Sequence, residues 1–119
     1  MNHGVLEPEG RRLHISGQVA WDEAGRVLHP GDARAQTLHA VALIERIVKA
    51  AGGTLSDIVS MTTYYVRPGD YAAITEARRE ALSGTPGPAT VGVRVAGLVH
   101  PDLLVEIAAI AVIPPTGRA

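Results

Sequence analysis

The chain has 119 residues, a formal net charge of -1, no cysteine and no phenylalanine. That length suits one domain over 1–119, and the missing thiols exclude disulfides, thiolate metal sites and a cysteine nucleophile. A near-neutral chain with no basic stripe argues against nucleic acid as a partner.

No apolar run is long and uncharged enough to span a bilayer, and the opening "MNHGVLEPEGRR" lacks the apolar core of a secretion signal. A soluble, cytoplasmic domain without membrane contact is expected. Aromatic residues are only 3% of the chain, so the core must come from Val, Ile, Leu and Ala.

"RLHISGQVAW" (12–21) is rich in strand formers, "DEAG" (22–25) is a turn signal, and "RVL" (26–28) predicts a short returning strand. "HPGD" (29–32) breaks the chain, and Asp32 is a suitable N-cap. Leu38, Val41, Ile44, Val48 and Ala51 then repeat at three- and four-residue steps as one helical stripe, with Arg34, Glu45, Arg46 and Lys49 mostly off it. Gly52-Gly53 stops that helix.

"DIVSMTTYYVRP" (57–68) predicts a strand, and Asp70 a cap for a helix over "YAAITEARREAL" that ends at Ser83-Gly84. "TPGP" (85–88) is a loop, "ATVGVRVA" a strand, "GLVHPD" (97–102) a connection and "LLVEIAAIAVI" (103–113) a long strand. Residues 1–11 and 114–119 are expected to be loose termini. The order β-β-α-β-α-β-β predicts an α+β fold with two helices on one face of a sheet.

The last strand is apolar on both sides. Leu104, Glu106, Ala108, Ile110 and Val112 share one face, and Val105, Ile107, Ala109 and Ala111 the other. A half-exposed strand would alternate with polar residues. Two helices cover one face only, so the pattern predicts that further copies of the chain cover the other.

Glu106 is the sharpest single signal. An unpaired buried carboxylate is costly, so Glu106 must be paired, protonated or in contact with water in a pocket. It is either half of a structural ion pair or an acid/base group in a cleft. Arg94 has the same two readings. If the last two strands pair, Arg94 and Glu106 could meet on one face; otherwise the guanidinium could grip a substrate carboxylate through two hydrogen bonds. His3, His14, His29, His39 and His100 show no ligand spacing, so no metal is expected.

Three segments carry a family resemblance: "ISGQVAWDEAGRV", "AQTLHAVALIERIVKAAGGTLSDIVSMTTYYVRPGDYAAITEARREAL" and "PATVGVRVAGLVHPDLLVEIAAIAV". Together they span about 12–112, and there the chain resembles the reactive intermediate deaminase family, RidA/YjgF, formerly labelled endoribonuclease L-PSP. The resemblance implies a chorismate-mutase-like fold and a homotrimer, its sheets facing inward as a barrel and its clefts between subunits. It implies hydrolysis of amino-acid-derived imines and enamines to keto acid and ammonia, without a cofactor. In the family an arginine two residues after a proline holds the substrate carboxylate, a last-strand glutamate orders the attacking water, and the backbone at an "SG" turn lines the pocket.

Position by position, Glu106 matches the glutamate, Ser16 and Gly17 match the turn, and Gly92 takes a place that is often cysteine. The arginine position is Thr90, and no tyrosine precedes Tyr64 to match the one that the family carries ahead of its first strand. A threonine cannot replace a bidentate cation, a loss on the order of a few kcal/mol of substrate binding. Arg94 has the strand parity of Thr90 and lies roughly 13 Å further along. Two readings of it stay open: an interface salt bridge, to Glu106 or a neighbouring subunit, or a source of positive charge for an anionic small-molecule ligand. The sequence leaves open an imine/enamine hydrolase and a non-catalytic ligand-binding trimer. The ribonuclease label fits least, because phosphate binding needs clustered positive charge.

Overall fold

The computed structural model describes residues 2–115. Strands β1 (Arg11–Gln18), β2 (Ile58–Tyr65), β3 (Ala89–Arg94) and β4 (Val105–Ile113) form one sheet in the order β1-β4-β2-β3, and helices α1 (Ala33–Ala50) and α2 (Tyr71–Ala81) lie on one face of it. The α+β layering is the one expected from two amphipathic helices beside a sheet. No described helix is long and apolar enough to cross a membrane.

β4 is the last strand in the chain and a central one in the sheet, antiparallel to both β1 and β2. This explains its apolar character: each neighbour supplies a ladder, and neither edge meets solvent. β3 pairs in parallel with β2 at the sheet edge. The last two strands of the chain therefore do not pair; β2 stands between them.

Residues paired across a ladder share a face. Met61, Thr63 and Tyr65 of β2 stand beside Ala109, Ile107 and Val105 of β4. All but Tyr65 of these are buried, and Tyr65 packs on the core and against the Tyr71 ring, 5.0 Å between centroids. This is the helix face. The other face carries Thr62, Tyr64, Glu106, Ala108 and Ile110, all half-exposed, with Val91 and Val93 of β3 exposed beside them.

The expected strand at 26–28 shrinks to a single bridge between Trp21 and Val27. The Asp22 carboxylate takes the backbone N–H groups of Ala24 and Arg26, each at 2.9 Å, and so uses the short segment for a turn. His29, in the left-handed region, then redirects the chain before Pro30. Asp32 caps α1 as expected, accepting from the Ala35 N–H at 2.9 Å. Gly52, at φ 93°, closes the other end, where its N–H and that of Gly53 return to Lys49 and Val48.

Asp70 stands at the N-cap of α2 but does not cap it. Its carboxylate is held by Arg67 at 2.7 Å instead. The N-terminal stretch is anchored at Asn2, which bridges Ala89 and donates to the carbonyls of Pro86 and Gly87 at 2.9 and 2.7 Å. Of the tail expected to be loose, residues 116–119 lie outside the described residues, as does Met1.

The buried stripe of α1 is Ala33, Gln36, Thr37, Ala40, Val41, Ile44 and Val48. Leu38 is half-exposed and Ala51 exposed. Gln36 is completely buried. Its Nε2 donates to the carbonyls of Leu28, His29 and Asp102, and its Oε1 accepts from the Leu104 N–H at 2.8 Å. One side chain thus fixes the loops entering α1 and β4.

Candidate functional site

On the helix-free face, β1 bulges. Ile15 faces Ala109 and Gln18 faces Ile107, so Ser16 and Gly17 together oppose one residue of β4. Bulges re-aim side chains and favour small residues. The space that a Cβ at Gly17 would fill is taken by Glu106, whose Cδ and Cγ lie 2.6 and 2.8 Å from that position. Gly17 is therefore a steric requirement for the pose of Glu106. Among the described residues neither an ion pair nor a hydrogen bond reaches the Glu106 carboxylate. The structure thus joins Ser16, Gly17 and Glu106 in one place.

It puts the other three predicted residues elsewhere. Thr90, Gly92 and Arg94 pair with Met61, Thr63 and Tyr65, which are on the helix face. A Cβ at Gly92 would stand 2.8 Å from the Tyr71 ring of α2, which fixes that orientation. Arg94 and Glu106 therefore occupy opposite faces and cannot form the ion pair considered from sequence. Arg94 is exposed and its Nε donates to the Val66 carbonyl at 3.3 Å. Its reach is toward a loop at the sheet edge, away from Thr90.

Thr90 borders a cavity of about 230 Å³ between α2, β3 and the loop that joins them. Thr75, Arg78, Arg79 and Leu82 of the α2 segment and Pro88 also line it. Arg78 is only 3% exposed. It donates to the Thr63 hydroxyl at 2.6 Å, and among the described residues no carboxylate pairs with it. Burial holds the Arg78 guanidinium below the ordinary arginine range, while the Tyr71 side chain partly opposes that shift. The Thr75 hydroxyl is buried and lacks a hydrogen-bond partner.

Sequence reading passed over Arg78, because Arg78-Arg79-Glu80 looks like the charged face of a helix. A signal was present all the same. Arg78 lies four residues after Ile74 and four before Leu82, both buried, so it sits on the apolar stripe.

His29 and His39 come together with ring centroids 6.1 Å apart. Among the described residues no cluster of His, Asp or Glu could hold a metal ion.

The family model described as endoribonuclease L-PSP matches residues 2–113. The chain belongs to the Rid/YjgF family. The Rid-family protein YyfB of Yersinia pestis is 36% identical, with a TM-score of 0.83 over 92% of this chain and 84% of that one. RidA from an Antarctic Psychrobacter is 34% identical, with a TM-score of 0.78 over 89% of this chain and 84% of that one. E. coli TdcF, solved with bound serine, is 30% identical, with a TM-score of 0.79 over 92% and 91%. The Rid chain therefore has its family's fold over nearly all its length.

Proposed function

We propose that this Rid chain works as a cytoplasmic homotrimer that hydrolyses imines or enamines in clefts between subunits, Glu106 ordering the water. The observation that carries the reading is the carboxylate of Glu106, seated over Gly17 at a bulge and free of protein partners among the described residues. Such a group can accept a proton from water as the oxygen adds to the C=N carbon. Proton transfer to nitrogen and collapse of the adduct then release ammonia and leave a carbonyl. One water is consumed and nothing is oxidised, so the step needs no cofactor.

Assembly is needed because the two predicted half-sites lie on opposite faces of one sheet. Val91, 56% exposed, and Val93, 37% exposed, with half-exposed Ala108 and Ile110, give the helix-free face an apolar surface suited to a further copy. A cleft can then join Ser16, Gly17 and Glu106 of one copy to the Thr90 edge of the next.

Sedimentation at micromolar concentration is expected to give a trimer. Ammonia release from freshly generated amino-acid imines should fall at least about a hundredfold in Glu106→Gln, the scale of a lost general base. Equal rates in the two proteins would rule out the hydrolytic reading. Thr90, at the position where the resemblance sets an arginine, favours a second reading: a trimer that captures a small ligand without turnover; TdcF was solved with serine bound. Ligand binding with no ammonia release would select it. Ribonuclease activity has the least support from a chain of net charge -1; RNA cleavage that survives extensive purification would revive it.

A further inference from the structure

The cavity beside Thr90 combines features that call for an anion. Arg78 is sealed into its wall as a cation with a hydroxyl partner and, among the described residues, no carboxylate. A guanidinium has five N–H donors; the Thr63 hydroxyl takes one from Nη1 and the Tyr71 side chain takes another, which leaves donors over. Thr75, one helical turn earlier on α2, aims no hydrogen bond anywhere although its hydroxyl is buried. Arg79 adds a second positive charge to the lining, from an exposed position. Leu82, Pro86 and Pro88 give the wall an apolar part, next to Ser83, Thr85 and Thr90.

These groups suit a small organic carboxylate better than a bare inorganic ion. Two parallel N–H donors of a guanidinium match two carboxylate oxygens. A threonine hydroxyl can donate to the same oxygens, and an alkyl tail can lie on leucine and proline. We propose that Arg78, reaching in from α2, holds the carboxylate of a small aliphatic acid in this cavity, and that Thr75 completes the grip. The charge that Thr90 does not supply from β3 thus arrives from the facing helix, and Arg94, bonded to the Val66 carbonyl outside the cavity, is not needed for it. The link to catalysis rests on the reading of the intersubunit cleft; the carboxylate site itself rests on Arg78 and Thr75 alone.

The test is calorimetric titration of the full-length protein with 3-methylbutanoate and, as a neutral isostere, 3-methylbutanamide. The acid is expected to bind saturably and the amide to bind at least about tenfold more weakly, the scale of a lost charge-assisted pair. Arg78→Met should lower affinity for the acid by about tenfold or more, with far-ultraviolet circular dichroism checking its fold. Thr75→Val keeps the shape of the side chain and removes an orphan hydroxyl. It should melt at or above the wild-type temperature and still bind the acid severalfold more weakly. Thr90→Phe should block the cavity without touching either donor.

Absence of saturable acid binding to the wild type overturns the proposal. So does equal binding of acid and amide, or wild-type affinity in both Thr75→Val and Arg78→Met; if Arg78→Met does not fold, Thr75→Val and Thr90→Phe decide. Glu106→Gln separates the two readings: it should keep the affinity for 3-methylbutanoate while losing ammonia release. Loss of acid binding in Arg78→Met, with the weak binding of the amide unchanged, supports the carboxylate site; turnover that ignores Glu106 fails the hydrolytic reading only.

Discussion

Gln36 on α1 and Arg78 on α2 are both long polar side chains shut away from solvent. Gln36 makes four hydrogen bonds, three to carbonyls and one from a backbone N–H, and nothing beside it is left over. Arg78 shares its wall with an orphan hydroxyl and an open volume of about 230 Å³. Buried polar groups are normally satisfied by the protein itself. A saturated one is structural, because every partner is already inside the fold. An unsaturated one beside empty space keeps donors for something from outside. The two helices of this small domain thus divide the tasks of holding loops in place and receiving a ligand.

The largest test of that contrast is removal of each polar side chain. Gln36→Leu leaves the buried Leu104 N–H and the part-buried Leu28 and Asp102 carbonyls without partners, while the His29 carbonyl keeps the Asp32 N–H. Orphaned buried groups cost about 1–3 kcal/mol each before relaxation, so a loss of about 4 kcal/mol is expected, with a fall in melting midpoint of more than ~10 °C. Arg78→Met takes a donor from the Thr63 hydroxyl and one from the Tyr71 side chain, and removes a buried charge. Its stability should change by no more than about 1–2 kcal/mol. Chemical denaturation of the two variants measures both. Similar losses would mean that Arg78 is as structural as Gln36.

A smaller test concerns the bulge. Gly17→Ala places a methyl group where the Glu106 carboxylate lies. The end of a glutamate can swing aside, so the stability cost should stay near 1 kcal/mol, while ammonia release falls by about tenfold or more through loss of the carboxylate's position. In a Glu106→Ala background the same substitution should be neutral for stability. Such coupling in a double-mutant cycle identifies the contact as the cause. Additive losses would place the role of Gly17 in the backbone instead.

Much of the fold could be read from the sequence because it was written in local patterns. The Asp32 cap, the α1 stripe ending at Gly52 and the two-faced apolarity of β4 each follow from short-range periodicity. What periodicity does not carry is the order of strands. Nothing local says that β4 enters between β1 and β2, and that insertion separates β3 from β4 and sends Arg94 and Glu106 to opposite faces. The strand expected at 26–28 failed because the Asp22 carboxylate outbid a ladder for two backbone N–H groups. Gln36 and Arg78 were missed for a shared reason: polarity suggested solvent, whereas their helical positions put them on the buried stripe. Glu106 and Gly17 were named from sequence, yet the steric tie between them depends on a bulge that only the register reveals.

The smallest expected effect sharpens the same comparison from the α1 side, where a titrating group is perturbed without being part of either buried network. His39 is half-buried, and burial, then the nearby His29 and Arg46, hold its pKa below the ordinary histidine value of 6.5. The folded state therefore binds this proton less readily than the unfolded chain. Below about pH 6.5 the unfolded state takes up more protons, so stability falls as pH drops and levels off once the folded group is protonated too. His39→Asn should remove that part of the slope. Melting temperatures of both proteins from pH 7.5 to 5.0 give the difference, expected to grow in favour of the variant toward acid. Arg78 keeps its charge throughout this range, so Arg78→Met should leave the slope as it is. A slope that changes in Arg78→Met and persists in His39→Asn would shift the acid-sensitive element from α1 to the α2 cavity and reverse the division of tasks between the helices.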